Sequence, residues 1–247
     1  MSTIIITGAS GNIGSVIAES ASHKFTRVIL GGRNREKLDH LREKIESNCE
    51  AICFPADISN YEVCNKILHN MLPDEGVNAF IHAAAIRSDI PVLLSDTDIH
   101  HWERIINVNL LGTYYILKIV LPYLRRAPWA RIVLLSSSVA EIGLARGSAY
   151  AASKAGVSNL VETLAAEEGE HGILVNGILP GPVEIDDSHF DEAYRSFRKK
   201  YYYDMLSRIP LGRLATPEDM AHLSLFLASR QNTYITGQNI HISGGLL

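Results

Sequence analysis

Short apolar runs recur along the chain at residues 4–6, 28–30, 51–54, 79–81, 132–135, 174–178 and 240–242. Each is flanked by polar or glycine-containing turns and is too short for a helix, so each predicts a buried strand. Longer stretches with helical spacing of apolar and polar positions lie between them, at 15–22, 35–47, 101–124, 149–169 and 217–228. Strands alternating with helices predict a doubly wound α/β fold, with a parallel sheet of about seven strands covered on both faces. No Pro/Gly/Ser-rich break interrupts the rhythm, which predicts one domain over 1–247. Residues 186–208 depart from it, carrying many charges and aromatics between Pro182 and Pro210 without a strand pattern. An excursion of this kind beyond a strand end predicts a substrate lid.

Composition narrows the picture. The chain has 247 residues, of which 47% are hydrophobic, ample for a core, and a net charge of -4 with both signs interspersed. That balance carries no nucleic-acid or membrane-surface footprint. Cys49, Cys53 and Cys64 form no CxxC pair, and His100 and His101 are adjacent and cannot share a helix face, so no metal site is expected. No signal-peptide pattern opens the chain, and no apolar run reaches the ~18 residues of a membrane span, so the expected location is the cytoplasm.

The stretch TGASGNIG, residues 7–14, stands where the first strand hands over to a helix. Glycines there let the backbone approach a pyrophosphate, and the helix N-terminus supplies free N–H groups and a positive dipole end. The second strand ends in Gly31 and Gly32 rather than the acid that would accept ribose hydroxyls. Arg33 follows, with Arg35 as a possible second cation for a 2′-phosphate, so NADPH is favoured over NADH. Asp57 follows the third strand, where its carboxylate is placed either to accept from an adenine amino group or to cap a helix.

Tyr150 and Lys154 lie four apart in a predicted helix and share a face, and Ser137 stands thirteen residues upstream, just past a strand. Taken with TGASGNIG, ADIS, HAAAI, NVNLLG, LLSSS, YAASK, VNGILPGPV, TPEDM and YITGQNIHISGG, in that order, the chain resembles the short-chain dehydrogenase/reductase family. The likeness covers nearly the whole chain and is greatest to members resembling 3-oxoacyl-carrier-protein reductases. It implies a single-domain Rossmann fold and an NAD(P)-dependent oxidoreductase acting on CH–OH and C=O groups. Tyr150 would be the general acid in reduction, Lys154 would favour its phenolate and hold the nicotinamide ribose, and Ser137 would donate to the substrate oxygen. Asn109 would hold a water linking Lys154 to solvent, whereas Asn107, two residues earlier, would face away. Cofactor contacts would come from Gly8, Ser10, Gly11, Asn12, Ile13, Gly14, Arg33, Asp57, Ile58, Ala83, Ala84, Asn109, Tyr150, Lys154, Pro180, Gly181 and Val183.

Departures from the family pattern matter as much. Asn12 replaces a glycine, giving the spacing of the family's extended branch; Ile185 replaces a threonine; and His82 and Ala83 replace two asparagines, giving His82 a structural or cofactor-contacting role. Arg87, Glu141, Leu144, Arg146, Phe190 and Tyr194 are pocket candidates by position. The expected reaction is hydride transfer from NADPH to a ketone, either a small carbonyl metabolite or a 3-oxoacyl thioester. The alternatives are an alcohol or sugar dehydrogenase working oxidatively and a non-catalytic nucleotide-sensing scaffold. Carrier-protein docking is disfavoured by Glu167, Glu168 and Glu170 and favoured by Arg125, Arg126 and the lid cations. Two apolar helices predict a homodimer or homotetramer.

Overall fold

The computed structural model describes residues 2–87, 91–186 and 192–246, without the side chains of Ala193, Tyr194 and Phe197. Its order is β1 (Thr3–Thr7), α1 (Asn12–Ser22), β2 (Arg27–Gly32), α2 (Arg35–Ile45), β3 (Glu50–Pro55), α3 (Tyr61–Met71) and β4 (Ala79–His82). There follow α4 (Ile99–Ile106), a π-helical turn (Asn107–Leu111), α5 (Gly112–Leu124), β5 (Ala130–Leu135), α6 (Val139–Ile142) and α7 (Ser148–Glu168). The chain closes with β6 (Ile173–Pro180), α8 (Glu192–Leu206), α9 (Pro217–Leu227) and β7 (Asn239–Ile242). Every predicted strand is present, and the whole sheet is parallel in the order β3-β2-β1-β4-β5-β6-β7.

The β-branched strands are buried on both faces because helices cover both. Ile5 faces a layer that includes Ile116, Val120 and Val161 from α5 and α7, while Ile4 and Ile6 face Ile17, Ala18, Leu225 and Leu38 from α1, α9 and α2. That split is the two-residue alternation of a strand projected onto two cores. Helix starts are written locally. Asn34, Asn60 and Asp98 each accept an amide three residues on, and Thr216 with Asp219 forms a reciprocal capping box ahead of Pro217.

One expectation needs correction. The run Ile99–Leu124 spans 26 residues with mean hydropathy 1.4 and passes the length and composition test for a membrane span. Half of its apolar window is buried, against the sheet and α3, and the π-helical turn interrupts it, as suits a core helix.

The chain reverses its winding direction between β1 and β4, which opens a crevice at their carboxyl ends. Thr7, Gly32, His82, Leu135 and Pro180 all end strands on that edge.

Candidate active site

The turn after β1 is shaped by what cannot fit there. Gly8 has φ +75°, and a Cβ on it would lie 2.6 Å from the peptide joining Ala83 to Ala84. A Cβ on Gly14 would overlap the Gly8 carbonyl. The turn is therefore drawn tight against the end of β4, and Gly11 caps α1 with no side-chain partner, leaving the first amides of the helix unused by side chains. A cradle of bare backbone at a helix N-terminus fits a pyrophosphate. Asn12 holds its place in the turn, and its Nδ2 donates to the Asp186 carbonyl at 3.2 Å, joining the turn to the start of the lid.

On the adenosine side, β2 ends in Gly32 and offers no acid, and a Cβ there would meet Ser10 Oγ at 2.6 Å, a contact the serine relieves by turning. Arg33 is exposed and forms no ion pair among the described residues. Arg35 does not join it, because its Nε donates to Asp39 at 2.8 Å on the same face of α2. Asp57 is not a helix cap: Asn60 caps α3, and Asp57 Oδ1 accepts from Ser59 N and Oγ at 2.9 and 2.7 Å. Ile58 is buried against Gly112, at the bottom of the crevice.

The catalytic candidates converge. Ser137 lies close enough to Tyr150 to pull its phenol down, and Lys154 Nζ lies 5.9 Å from the Tyr150 ring centre and donates to the Leu135 carbonyl at 2.7 Å. Ser136 is engaged elsewhere, bonding the Lys154 carbonyl and Ser158. Burial raises the Tyr150 phenol above its ordinary value, against opposing pulls from Arg87 and Ser137. The expected depression of the tyrosine is therefore not supplied by the chain. Its lysine is itself weakened: burial first, then Arg87, bring Lys154 down to about 7.

Asn109 is buried and Asn107 exposed, as their spacing implied. The Asn109 amide, however, is fully engaged by protein groups. Its Oδ1 accepts from Ile86 N at 2.8 Å, and its Nδ2 donates to Ile86 O at 2.9 Å and Ser153 Oγ at 3.0 Å. Its backbone carbonyl accepts from Thr113 Oγ1 as well, so the expected water would have to share an acceptor already in use. His82 is buried between Thr7 and Thr113, with Nδ1 2.7 Å from Thr7 Oγ1 and Nε2 2.9 Å from Thr113 Oγ1. Burial, with the Lys154 charge adding to it, pushes His82 down to about 3, so it is neutral at physiological pH. Thr113 and Ser153 were missed from sequence, although each stands four residues from Asn109 or three from Tyr150.

Pro180 accepts from Ser138 N at 3.0 Å, Gly181 bonds Ile242 at 2.9 Å, and Val183 is buried beside Ala215, so this segment forms the far wall. Tyr202 from α8 donates to the Val183 carbonyl at 3.2 Å and takes an Arg198 hydrogen bond, so the lid helix is seated on that wall. Residues 187–191 of the predicted lid, with the pocket candidate Phe190, lie outside the described residues, as does the Tyr194 side chain. Glu141 bonds His241 Nε2 at 2.9 Å, which tethers α6 to β7. Arg125 makes a two-pronged contact with the buried Glu168, and both stand at the edge of the sheet opposite the crevice. Neither can serve docking at the site mouth.

A family model described as enoyl-(acyl-carrier-protein) reductase matches residues 8–247. The 3-oxoacyl-[acyl-carrier-protein] reductase of Rickettsia felis is 32% identical over 247 residues, covering 99% of this chain and 96% of that protein. The chain belongs to the short-chain dehydrogenase/reductase family. Another 3-oxoacyl-[acyl-carrier-protein] reductase, from Thermotoga maritima, is 32% identical over 246 residues, covering 98% and 96% of the two chains. Among solved structures, an NAD(P)-dependent gluconate 5-dehydrogenase from Beutenbergia cavernae with NADP bound at low occupancy superposes with a TM-score of 0.90. It is 27% identical and covers 99% of this chain and 96% of that one. A Brucella melitensis 3-oxoacyl-[acyl-carrier protein] reductase with bound NAD shares the fold, with a TM-score of 0.88 at 23% identity and 99% and 90% coverage. As a short-chain dehydrogenase/reductase, the chain is an NAD(P)-dependent oxidoreductase.

Proposed function

We propose that this short-chain dehydrogenase/reductase reduces the ketone of a 3-oxoacyl thioester with NADPH, Tyr150 acting as general acid. The observation that carries the reading is the Lys154 ammonium 5.9 Å from the Tyr150 ring centre, with Ser137 close enough to act on the same phenol, at the crevice where the sheet reverses direction. When bound, the dinucleotide supplies the hydride. Gly8, Gly11 and Gly14 with the first amides of α1 would hold its pyrophosphate, and Lys154 its nicotinamide ribose. Ser137 and Tyr150 together grip the substrate oxygen, Ser137 by hydrogen bonding and Tyr150 by giving up its proton as negative charge develops. A buried phenol that stays protonated suits that task, because a reductase needs the acid form at the start of each turnover. In the reverse direction the positive charge of the oxidised nicotinamide would supply the depression that the chain lacks.

Arg33, exposed and unengaged by the described residues, supports NADPH, and Gly32, which offers no acid to ribose hydroxyls, supports it as well. The exposed lid cations Arg195, Lys199 and Lys200 support a thioester delivered on an acidic carrier. Exposed Leu111 in the π-helical turn and Tyr114 on α5 support assembly into a dimer or tetramer, which light scattering would test. The reading places the enzyme in the cytoplasm. The test is NADPH oxidation against 3-oxoacyl thioesters, small ketones and 2-enoyl thioesters, with Tyr150→Phe as control. Turnover of the 3-oxoacyl compounds that the substitution abolishes is expected; reduction of only the enoyl compounds, or none, overturns the reading.

A further inference from the structure

Five side chains join the cofactor turn to the catalytic helix, and proton counting gives a direction to the hydrogen bonds among them, with the Ala84 backbone as a further partner of the His82 ring. Thr113 Oγ1 lies 2.5 Å from the Asn109 carbonyl, which can only accept, so the single hydroxyl proton of Thr113 is committed there. His82 Nε2, 2.9 Å from the same oxygen, must then be the protonated nitrogen. A neutral imidazole has one N–H, so Nδ1 accepts, and the Thr7 hydroxyl at 2.7 Å donates to it. Beyond Asn109 the same direction continues. Its Nδ2 donates to Ser153 Oγ at 3.0 Å, and Ser153 donates to the Tyr150 carbonyl at 2.7 Å.

This path crosses the one irregular turn of the long helix. Within it the Gly112 N–H reaches back to the Asn107 carbonyl, five residues away, in the wide spacing of a π turn. Such a turn loosens the regular ladder and needs other partners to fix its carbonyls. Thr113, Asn109 and His82 are all at most 1% exposed, so water does not compete for those partners. Hydrogen bonds aligned head to tail in such surroundings reinforce one another.

We infer that His82 is a positioning residue: held as the Nε2–H tautomer between Thr7 and Thr113, it fixes the π turn that presents Asn109 and thereby seats the Tyr150 end of α7. The inference rests on Asn109 and Tyr150 belonging to the catalytic centre proposed above. It assigns a reason for histidine at the end of β4, since an imidazole can donate from one end and accept at the other across the gap between two threonines.

Nitrogen–proton correlation spectra of the labelled wild-type enzyme test it without any assay of turnover, with His82→Gln identifying the His82 signals by their loss. The expected result is one neutral Nε2–H tautomer, unchanged from pH 8 to pH 5. An Nδ1–H tautomer, or protonation within that range, overturns the inference. In steady-state kinetics, Thr113→Val keeps the side-chain shape and removes the hydroxyl, and His82→Leu removes both ends of the link. Each is expected to lower kcat ~10- to 100-fold with the KM for NADPH within about two-fold, a size suited to small misplacement of catalytic groups. His82→Gln, whose amide also donates and accepts, is expected to restore most of kcat. Wild-type kcat in Thr113→Val overturns the inference whether or not His82→Leu folds. A wild-type enzyme that reduces no ketone would sink the proposed function, while the tautomer spectrum would still decide the role of His82.

Discussion

Replacing Arg33 by alanine isolates the adenosine end of the site from everything else. Its guanidinium is exposed, follows β2 at the crevice edge, and is bound to no described acid, so its removal leaves no partner buried and unsatisfied. The loss is then that of charge-assisted hydrogen bonds to a 2′-phosphate, worth ~1.5–3 kcal/mol. That corresponds to a rise of roughly 10- to 150-fold in the KM for NADPH, with kcat unchanged because the nicotinamide end is untouched. NADH lacks the phosphate and its KM should move less than about two-fold. Being solvent-facing, the effect should shrink in high salt, where screening shortens to ~3 Å at 1 M. Arg35→Ala is the internal control: its guanidinium is already committed to Asp39, so the ratio of the two cofactors should stay as in the wild type. The assay is kcat/KM for both cofactors, for wild type and the two variants, at low and high salt. Equal losses with NADPH and NADH for Arg33→Ala would refute the reasoning, as would a larger loss from Arg35→Ala.

Tyr150→Phe should lower kcat at least ~10²-fold, the usual worth of a general acid, while far-UV circular dichroism stays unchanged. Lys154→Met should stabilise the cofactor-free protein below pH 7. The folded-state value of about 7 is lower than the ordinary 10.5, so the unfolded chain binds more protons between those values. Wild-type stability therefore rises with pH across that window, and the gain from the substitution should fade through it, as denaturant titrations at several pH values would show. Arg125→Ala should cost ~1–3 kcal/mol, because it strips the buried Glu168 of its partner, yet leave kcat unchanged at the opposite edge of the sheet. Thr216→Ala, which removes half of the capping box on α9, should cost about 1 kcal/mol in thermal or denaturant unfolding.

The α/β alternation made the sheet and most of its helices legible in the sequence, because a strand buried on both faces must be written as an unbroken apolar run and a covering helix as a periodic one. The turn TGASGNIG, the Ser137, Tyr150 and Lys154 set, and Arg33 were legible for a related reason: backbone cradles and one-face pairs depend on neighbours in the chain. Asn109 was legible as a residue but not in what it touches. What only the tertiary structure decided lies between distant segments. Thr7 and His82 meet across 75 positions, His82 and Thr113 across 31, and Asn12 and Asp186 across 174. Protonation was equally hidden, since the fall of Lys154 and His82 and the rise of Tyr150 come from burial that no local pattern states. The pairing of Arg35 with Asp39 was within reach, four residues apart on one helix, and it removed a cation that the sequence alone had offered to the cofactor. Local order is set by adjacent residues competing for the same backbone, whereas charge state and hydrogen-bond direction are set by whatever the fold brings alongside.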